Sequence, residues 1–436
     1  MSDYKVLAEK EYYKLSADKP TIGLLMMVKN ESLRLKVSLE SVKKTVQALI
    51  IYDTGSTDDT VKIIQDFSQK YKINLYLIQG EFVNFSTSRN VVLEYAEKVN
   101  VHYLLLLDCN DELQGGDKLL LYAKFMLDQP YNGFLTCQRW WSGQHDKYFN
   151  QRFIKNRCGW RYFGAVHEWM KDTTVEGPIP AHPVIRMPDD IVLFQDRTLD
   201  GGKTTQRFGR DKILLLEDYK NDPKDTRTLF YLAQTCECMG DYQDSLYYSK
   251  LRLELTGFDE EIFHSYMRCG TSSFALNHDW EDVMKWYIKA YEFSNRAEPL
   301  IKISDYYKMK QKWHLAYMFA HQACDLVYPD HLILFVDSGV YDYYRWHVMG
   351  IIGFYVGKYE EGKSASLKAL ERGINKEMNL EILQFYLDRE NKSVANETHQ
   401  QFMTRTIYEL KLKYPKLPIK IVSKRANTLW KNRNKK

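Results

Sequence analysis

Tyr103-Leu104-Leu105-Leu106-Leu107-Asp108-Cys109-Asn110-Asp111-Glu112 is the stretch that decides the fold of this 436-residue chain. Its first five residues are apolar and read as a strand buried on both faces. An acidic cluster follows at the carboxyl end of that strand. In an open α/β sheet, ligands sit just outside the carboxyl ends of the strands. Hard oxygen donors placed there suit Mg²⁺ or Mn²⁺, and such a cation can hold a diphosphate. Taken alone, the same residues also read as a strand ending in an ordinary polar turn.

Upstream, strand, turn and helix repeat. Residues 21–28 (TIGLLMMV) form an apolar run that ends at Lys29-Asn30-Glu31, with an amphipathic stretch continuing to Lys44. Residues 48–52 (ALIIY) are a second strand running into Asp53-Thr54-Gly55-Ser56-Thr57-Asp58-Asp59. Ser56 and Asp59 have capping-box spacing, which predicts a helix from near Thr57 to about Tyr71. Residues 74–78 (NLYLI) are a third strand, and 85–98 place Phe85, Val92, Leu93 and Ala96 on one helical face. Alternating strands and helices predict a mostly parallel, layered α/β sheet. Right-handed crossovers then bring the ends of the first, second and fourth strands to one edge, where Asn30, Glu31, Asp53 and Asp108 converge.

The motifs MMVKNE, YDTGSTDDT, FSTSRN and LLLLDCNDE, in this order and spacing, resemble those of family 2 glycosyltransferases with the GT-A fold, over roughly residues 20–210. The resemblance implies an inverting transfer of a hexose or N-acetylhexosamine from a nucleotide sugar to a hydroxyl or other nucleophile. By the same resemblance Asp53 contacts the nucleobase, usually uracil, so UDP is the expected carrier. Asn30 and Glu31 match the turn beside the ribose, and Arg89 and Asn90 match the pair near the diphosphate and sugar. The Asp-x-Asp element maps onto Asp108-Cys109-Asn110, with Asp108 the main metal ligand. Asn110 replaces the second carboxylate with an uncharged amide, for which Asp111 can compensate. A departing diphosphate needs its charge neutralised by a cation and by a fixed Arg such as Arg89. The acceptor hydroxyl needs a carboxylate base within hydrogen-bond reach.

Residues 151–168 are rich in aromatic and basic side chains and end in Trp160-Arg161-Tyr162-Phe163-Gly164-Ala165-Val166-His167-Glu168. Phe153 and Tyr162 read as packing residues of a hairpin. Relatives carry a similar W-R-x-x-G-x-V-H-E tract beside the acceptor, which makes Glu168 the candidate base and His167 a metal ligand or sugar contact. Asp111 is the competing base. Gln195 stands where many relatives have a His that supplies a late metal or phosphate contact. Gly201-Gly202 beside Lys203, Arg207 and Arg210 reads either as a lid over a diphosphate or as an ordinary loop entering a helix.

Beyond about residue 212, helical periodicity dominates. Gly240-Asp241-Tyr242, Asp279-Trp280, Lys312-Trp313 and Gly357-Lys358-Tyr359 each lead a run of aromatic and small residues. These resemble degenerate tetratricopeptide units, although their spacing widens from 33 residues between Trp280 and Trp313 to 46 between Trp313 and Tyr359. A plain helical bundle is the other reading. Stacked helix pairs offer a groove for a peptide or protein partner, for presenting the acceptor, expected to be a protein or a glycan, or for dimerisation. The expected organisation is an extension over 1–20, a GT-A domain over 21–211, TPR-like repeats over 212–409 and a basic tail over 410–436. That tail holds ten Lys and Arg and no acid after Glu409, and reads as a solvated end or a contact for acidic lipid or nucleic acid. The whole chain is only +4, which argues against a broad nucleic-acid-binding face.

Seven cysteines without a C-x-x-C pair indicate neither a disulfide framework nor a zinc site, and a reducing, cytoplasmic setting is expected. No apolar run approaches the ~18–20 residues that span a bilayer, and the first 20 residues lack the apolar core of a signal peptide. Two rivals to a transferase remain. A nucleotidyltransferase would want a Gly- and basic-rich loop where Lys29-Asn30-Glu31 stands. A non-catalytic TPR-like interaction protein would carry a degenerate GT-A domain, with Asn110 and Gln195 as marks of decay.

Overall fold

The computed structural model describes residues 4–15, 19–140, 143–174, 184–195, 203–395 and 398–433; the side chains of 143–147, 203–206, 391–395 and 433 lie outside that description. The N-terminal part runs β1 (Lys5–Lys10), β2 (Ile22–Val28), α1 (Leu35–Val42), β3 (Ala48–Asp53), α2 (Thr60–Tyr71), β4 (Asn74–Gln79), α3 (Phe85–Ala96), β5 (Tyr103–Leu106), β6 (Asp111–Gln114) and α4 (Gly116–Met126). It continues with β7 (Gly133–Trp140), β8 (Gly143–Lys155), β9 (Trp160–Phe163), β10 (Trp169–Asp172), β11 (Val184–Arg186) and β12 (Val192–Gln195).

The main sheet has the order β1-β4-β3-β2-β5-β8-β7-β12-β6, with β11 beside β7. Strands β4, β3, β2 and β5 are parallel, which is the expected α/β core. Alternation across the pleat sends Leu24, Met26 and Val28 with Tyr103 and Leu105 into one apolar layer, and Leu25 with Leu104 and Leu106 into the other. Burial on both faces is why β2 and β5 read as unbroken apolar runs. Strand β8 then pairs antiparallel with β5 and β7, so the sheet is mixed beyond β5. The first 20 residues are more than an extension, because β1 pairs antiparallel with β4 and closes that edge of the sheet.

Helices follow: α5 (Lys203–Asn221), α6 (Thr226–Cys238), α7 (Tyr242–Leu253), α8 (Asp259–Ala275), α9 (Trp280–Phe293), α10 (Ala297–Met309), α11 (Trp313–Asp325), α12 (Arg345–Tyr355), α13 (Tyr359–Glu371), α14 (Lys376–Ala395), α15 (His399–Lys413) and α16 (Ile419–Arg433). The four aromatic anchors Tyr242, Trp280, Trp313 and Tyr359 are the first residues of α7, α9, α11 and α13, the second helices of successive pairs. The widened spacing before Tyr359 has a physical cause. Most of the segment between α11 and α12, up to a π-helical turn at Val340–Tyr344, leaves the helical pattern and bridges α8 and the sheet. Ile333 and Leu334 donate their N–H groups to Glu260 at 3.0 and 2.6 Å, and Arg186 donates to the Asp330 carbonyl at 2.7 Å.

Two compact units result, Met1–Ile303 with Asp325–Tyr341, and Ser304–Cys324 with Asp342–Lys436. The expected boundary at 211/212 falls inside α5. The basic residues 410–436 are not simply a solvated end, since their described part is helical in α15 and α16. Among the described residues, no helix is long and apolar enough to cross a membrane.

Candidate active site

The carboxyl ends of β3, β2 and β5 lie side by side, with Val28 opposite Asp53 and Leu25 opposite Leu106. The two loops that leave β2 and β3 are stitched together. Asn30, at φ +53°, accepts the Thr57 N–H at 2.7 Å and donates its own N–H to the Ser56 hydroxyl at 2.9 Å. Glu31 donates its N–H to the Thr60 hydroxyl at 2.7 Å. Asp58 accepts the N–H of Ser32 at 3.1 Å and of Thr60 at 3.0 Å. Burial would raise the Asp58 carboxyl, but hydrogen bonds from Thr60 and Ser32 prevail and bring it down to about 2. Helix α2 therefore starts at Thr60, not Thr57, and the expected Ser56 capping box is absent because Ser56 serves the neighbouring loop. Asp53 is fully buried: it accepts the Ser56 N–H at 3.1 Å and the Gln79 amide at 2.7 Å, and so fixes the shape of its own turn.

Helix α3 is capped by Asn84, whose side chain accepts the Thr87 N–H at 2.8 Å. Its next turn carries Arg89, only 7% exposed, beneath the end of β5. Arg89 binds Asp108 Oδ1 at 2.6 Å and places its Nε 2.5 Å from Glu168 Oε1. Arg152 of β8, 12% exposed, binds Asp108 Oδ2 at 3.0 Å. Two guanidiniums thus flank one carboxylate. Burial alone would raise the Asp108 carboxyl; Arg89 and Arg152 overcome it and hold it well below the usual carboxylate range. Sequence reasoning passed over Arg152, although its alternation with Phe153 along β8 was the available signal.

Asp111, the competing base, is buried and ties the turn. It is 1% exposed, accepts the Asp108 N–H at 2.9 Å and the Gln195 amide at 2.6 Å, and its carbonyl accepts the Ser38 hydroxyl at 2.5 Å. Burial pushes its carboxyl up to about 6, against the pull of Arg152 and with the push of Asp108. Gln195 is thereby an integral part of the turn. Cys109 turns away into the core.

Asn90, which the resemblance matches to the pair near the diphosphate and sugar, bonds to the backbone of β9. Its amide donates to the Tyr162 carbonyl at 2.9 Å and accepts the Tyr162 N–H at 2.8 Å, which anchors β9 to α3. After β9 the chain turns at Gly164, φ +89°, and His167, φ +51°, to present Glu168, 14% exposed. The first helices hold this turn. Asp218 of α5 accepts the Ala165 N–H at 3.0 Å, and Arg227 of α6 donates twice to the His167 carbonyl at 3.2 and 3.1 Å. The His167 ring stacks on Tyr231 of α6, with centroids 4.0 Å apart and planes 6° apart. No motif or periodicity marks Arg227 or Tyr231 as parts of the site.

Arg207 and Arg210 are not on a lid loop. Both sit on α5, where they lie 3.3 and 3.5 Å from Asp211, and Arg210 also covers the Phe85 ring. Asp211 is raised by burial, against these two arginines, and Glu168 adds to the rise, which places this helical turn beside the site. Gly201-Gly202 and the Lys203 side chain lie outside the described residues.

Residues 24–181 match the model of glycosyl transferase family 2. This stretch is a family 2 glycosyl transferase domain. The chain is similar to the SPbeta prophage-derived glycosyltransferase SunS of Bacillus subtilis, 36% identical over 88 residues, which is 20% of either chain. It is also similar to a TPR repeat-containing protein of Synechococcus elongatus, 27% identical over 221 residues, 48% of this chain and 51% of that one. The chain thus spans from a fifth to about half the length of these curated relatives. A solved structure of S. aureus TarS, residues 1–349, is 14% identical with a TM-score of 0.31 over 61% of this chain and 83% of that one.

Proposed function

We propose that this chain transfers a hexose or N-acetylhexosamine from a nucleotide sugar, a UDP-sugar in the first instance, to a hydroxyl or other nucleophile of a protein or glycan, with inversion at the anomeric carbon. The observation that carries this reading is the bonding of Arg89 to both Asp108 and Glu168 at the carboxyl edge of the sheet. Glu168 is the base. It takes the acceptor proton as the acceptor oxygen bonds to the anomeric carbon on the face opposite the diphosphate. The anomeric C–O bond breaks with its electron pair leaving on the diphosphate, whose charge Arg89 and Arg152 stabilise. Before donor binds, Glu168 is paired with Arg89. A diphosphate competes for that guanidinium and so frees the carboxylate for the proton only when donor is present. The Arg152 Nε, buried and without a hydrogen-bond partner, is an unspent donor at the same place.

The donor set also fits a divalent cation. Asp108 and Asn110 would hold it, because the Asp108 side chain keeps 30% of its surface exposed and each oxygen has a second lone pair beyond its guanidinium. When bound, Mn²⁺ or Mg²⁺ would neutralise the departing diphosphate. Arg89 and Arg152 face three carboxyl groups, Asp108, Glu168 and the buried Asp111, so the cluster has no surplus positive charge and a cation–diphosphate pair enters with less repulsion than a bare diphosphate. The helical repeats are the proposed seat of a protein partner or protein acceptor. Calorimetric titration of UDP with and without Mn²⁺, followed by hydrolysis assays on a panel of UDP-sugars, tests the reading. Metal-strengthened UDP binding supports it; absence of UDP binding in both conditions overturns it and favours the non-catalytic alternative.

A further inference from the structure

We propose that α15 and α16 form a docking face for an anionic membrane surface. The two helices close on each other through a narrow seam. Phe402, Thr406, Val422 and Ala426 are buried, and the Trp430 ring packs against Phe402 at 5.0 Å. These positions are four apart on each helix, so a single stripe per helix is spent on the seam. Outside it, Tyr408, Leu412, Ile419 and Ile421 are each more than half exposed, and Leu429 is nearly so.

Charge selects the occupant. Residues 399–433 hold nine Lys and Arg and one acid, Glu409, whereas the whole chain is only +4, so the rest of the chain is acidic on balance. A face this basic, on a chain otherwise acidic, matches a polyanionic surface. The aliphatic residues then decide which kind. Leu412 lies between Lys411 and Lys413, and Ile419 and Ile421 flank Lys420. On α16, Ile421, Arg425 and Leu429 share a face at spacings of four. Duplex nucleic acid gains little from exposed Leu and Ile between its cations, whereas an interfacial helix buries such side chains at the headgroup boundary while Lys and Arg stems reach the phosphates. The Arg425 guanidinium already lies along an apolar neighbour, 5.7 Å from the Tyr414 ring centre. This inference is independent of the transfer reading.

The test is flotation of the full chain with phosphatidylcholine vesicles with and without phosphatidylglycerol. Binding is expected only to vesicles that contain phosphatidylglycerol. Neutralising three cations together (Lys420→Gln, Lys424→Gln, Arg425→Gln) should weaken it on the order of 100-fold. The pair Leu412→Ser, Ile421→Ser leaves the charge intact and should weaken it at least about tenfold. All five sites are solvent-facing, and melting curves confirm that both variants fold. No flotation, or flotation that survives both variants, overturns the proposal. Binding to a fluorescent DNA duplex that depends on the cations and ignores the Leu412→Ser, Ile421→Ser pair overturns it in favour of a nucleic-acid site.

Discussion

Replacing Asp108 by Ala is the obvious test of a metal-ligand aspartate, and the structure says that it tests something else first. Asp108 stands between Arg89 and Arg152, at 2.6 and 3.0 Å, and both arginines are largely buried. Without the carboxylate, Arg89 retains Glu168 at 2.5 Å. Among the described residues, Arg152 retains no carboxylate in direct contact and only the longer-range attraction of Asp111. Removing one member of a buried ion pair costs about 3–5 kcal/mol, chiefly because the remaining charge is uncompensated. The partial exposure of Asp108 puts this case at the low end, at about 3 kcal/mol. For a compact unit of this size, with an unfolding entropy of about 2.1 cal/mol/K per residue, that lowers Tm by roughly 4–5 °C. Asp108→Ala should therefore lose UDP binding through a collapsed pocket as well as through a lost ligand.

The two causes separate in a double-variant cycle read by urea denaturation. Arg152→Met added to Asp108→Ala removes the stranded cation, and about 1–2 kcal/mol of the lost stability should return, within the usual range of coupling between neighbours. Asp108→Asn retains an acceptor oxygen and the side-chain volume, and should fall between wild type and Asp108→Ala. If Asp108→Ala unfolds within about 1 kcal/mol of wild type, or if the double variant is no more stable than Asp108→Ala, the electrostatic account of this cluster is wrong.

Glu168→Gln should keep or raise UDP affinity, because it removes the carboxylate that competes for Arg89, and lose transfer by roughly 10²–10⁴-fold, the usual contribution of a general base; wild-type turnover would remove Glu168 from that role. Tyr231→Ala, which deletes the ring stacked on His167, should lower kcat about 100-fold with UDP affinity unchanged, because a shift near 1 Å at the base costs that much; Tyr231→Phe should restore it, and a Tyr231→Ala enzyme with normal kcat would refute the clamp. Acid stability should carry the mark of His264, which burial, with Arg296 and Arg268, lowers from 6.5 to about 3. The unfolded chain takes up a proton that the folded chain refuses, so this contribution is complete above pH 6.5 and declines as pH falls toward 3. The slope is about 1.4 kcal/mol per pH unit. His264→Gln should flatten it, as read by urea unfolding at successive pH values, and an unchanged slope would show that other groups set the acid limit.

What the sequence revealed and what it hid divide along one physical line. Patterns that arise within an element were legible: the doubly buried β2, β3 and β5, the turn residues at their ends, and the aromatic residues that open α7, α9, α11 and α13. Roles settled by a distant backbone were not. Asn90 and Tyr162 are 72 residues apart, and nothing in FSTSRN shows that the amide is spent on a strand still to come. Ser56 looks like a helix-capping residue, yet it serves Asn30, while Asp58 bridges Ser32 and Thr60. Arg207 and Arg210 read as a basic patch near glycines because the buried partner, Asp211, looks in sequence like any other acidic residue on a helix.

The same line explains why the expected boundary at 211/212 is in the wrong place for function. The turn that presents Glu168 has little structure of its own: between β9 and β10 it passes through Gly164 and His167 at positive φ. For His167 that conformation is unfavourable, and it persists because the surroundings over-determine it. Asn90 holds the turn from the side of α3 through Tyr162, while Asp218, Arg227 and Tyr231 hold it from α5 and α6. Val166 packs into the apolar cluster of Leu215, Leu229 and Phe230 on those same helices. The proposed base is thus positioned half by the sheet domain and half by the first helices, all within one compact unit that runs unbroken to Ile303. A glycosyl transferase domain cut at its family-model limit of 181 would keep Asp108, Arg89 and Arg152 but lose every helix that holds His167. The first helices of the repeat region thus brace the turn of the proposed base, and a search for partner surfaces belongs on the helices beyond them.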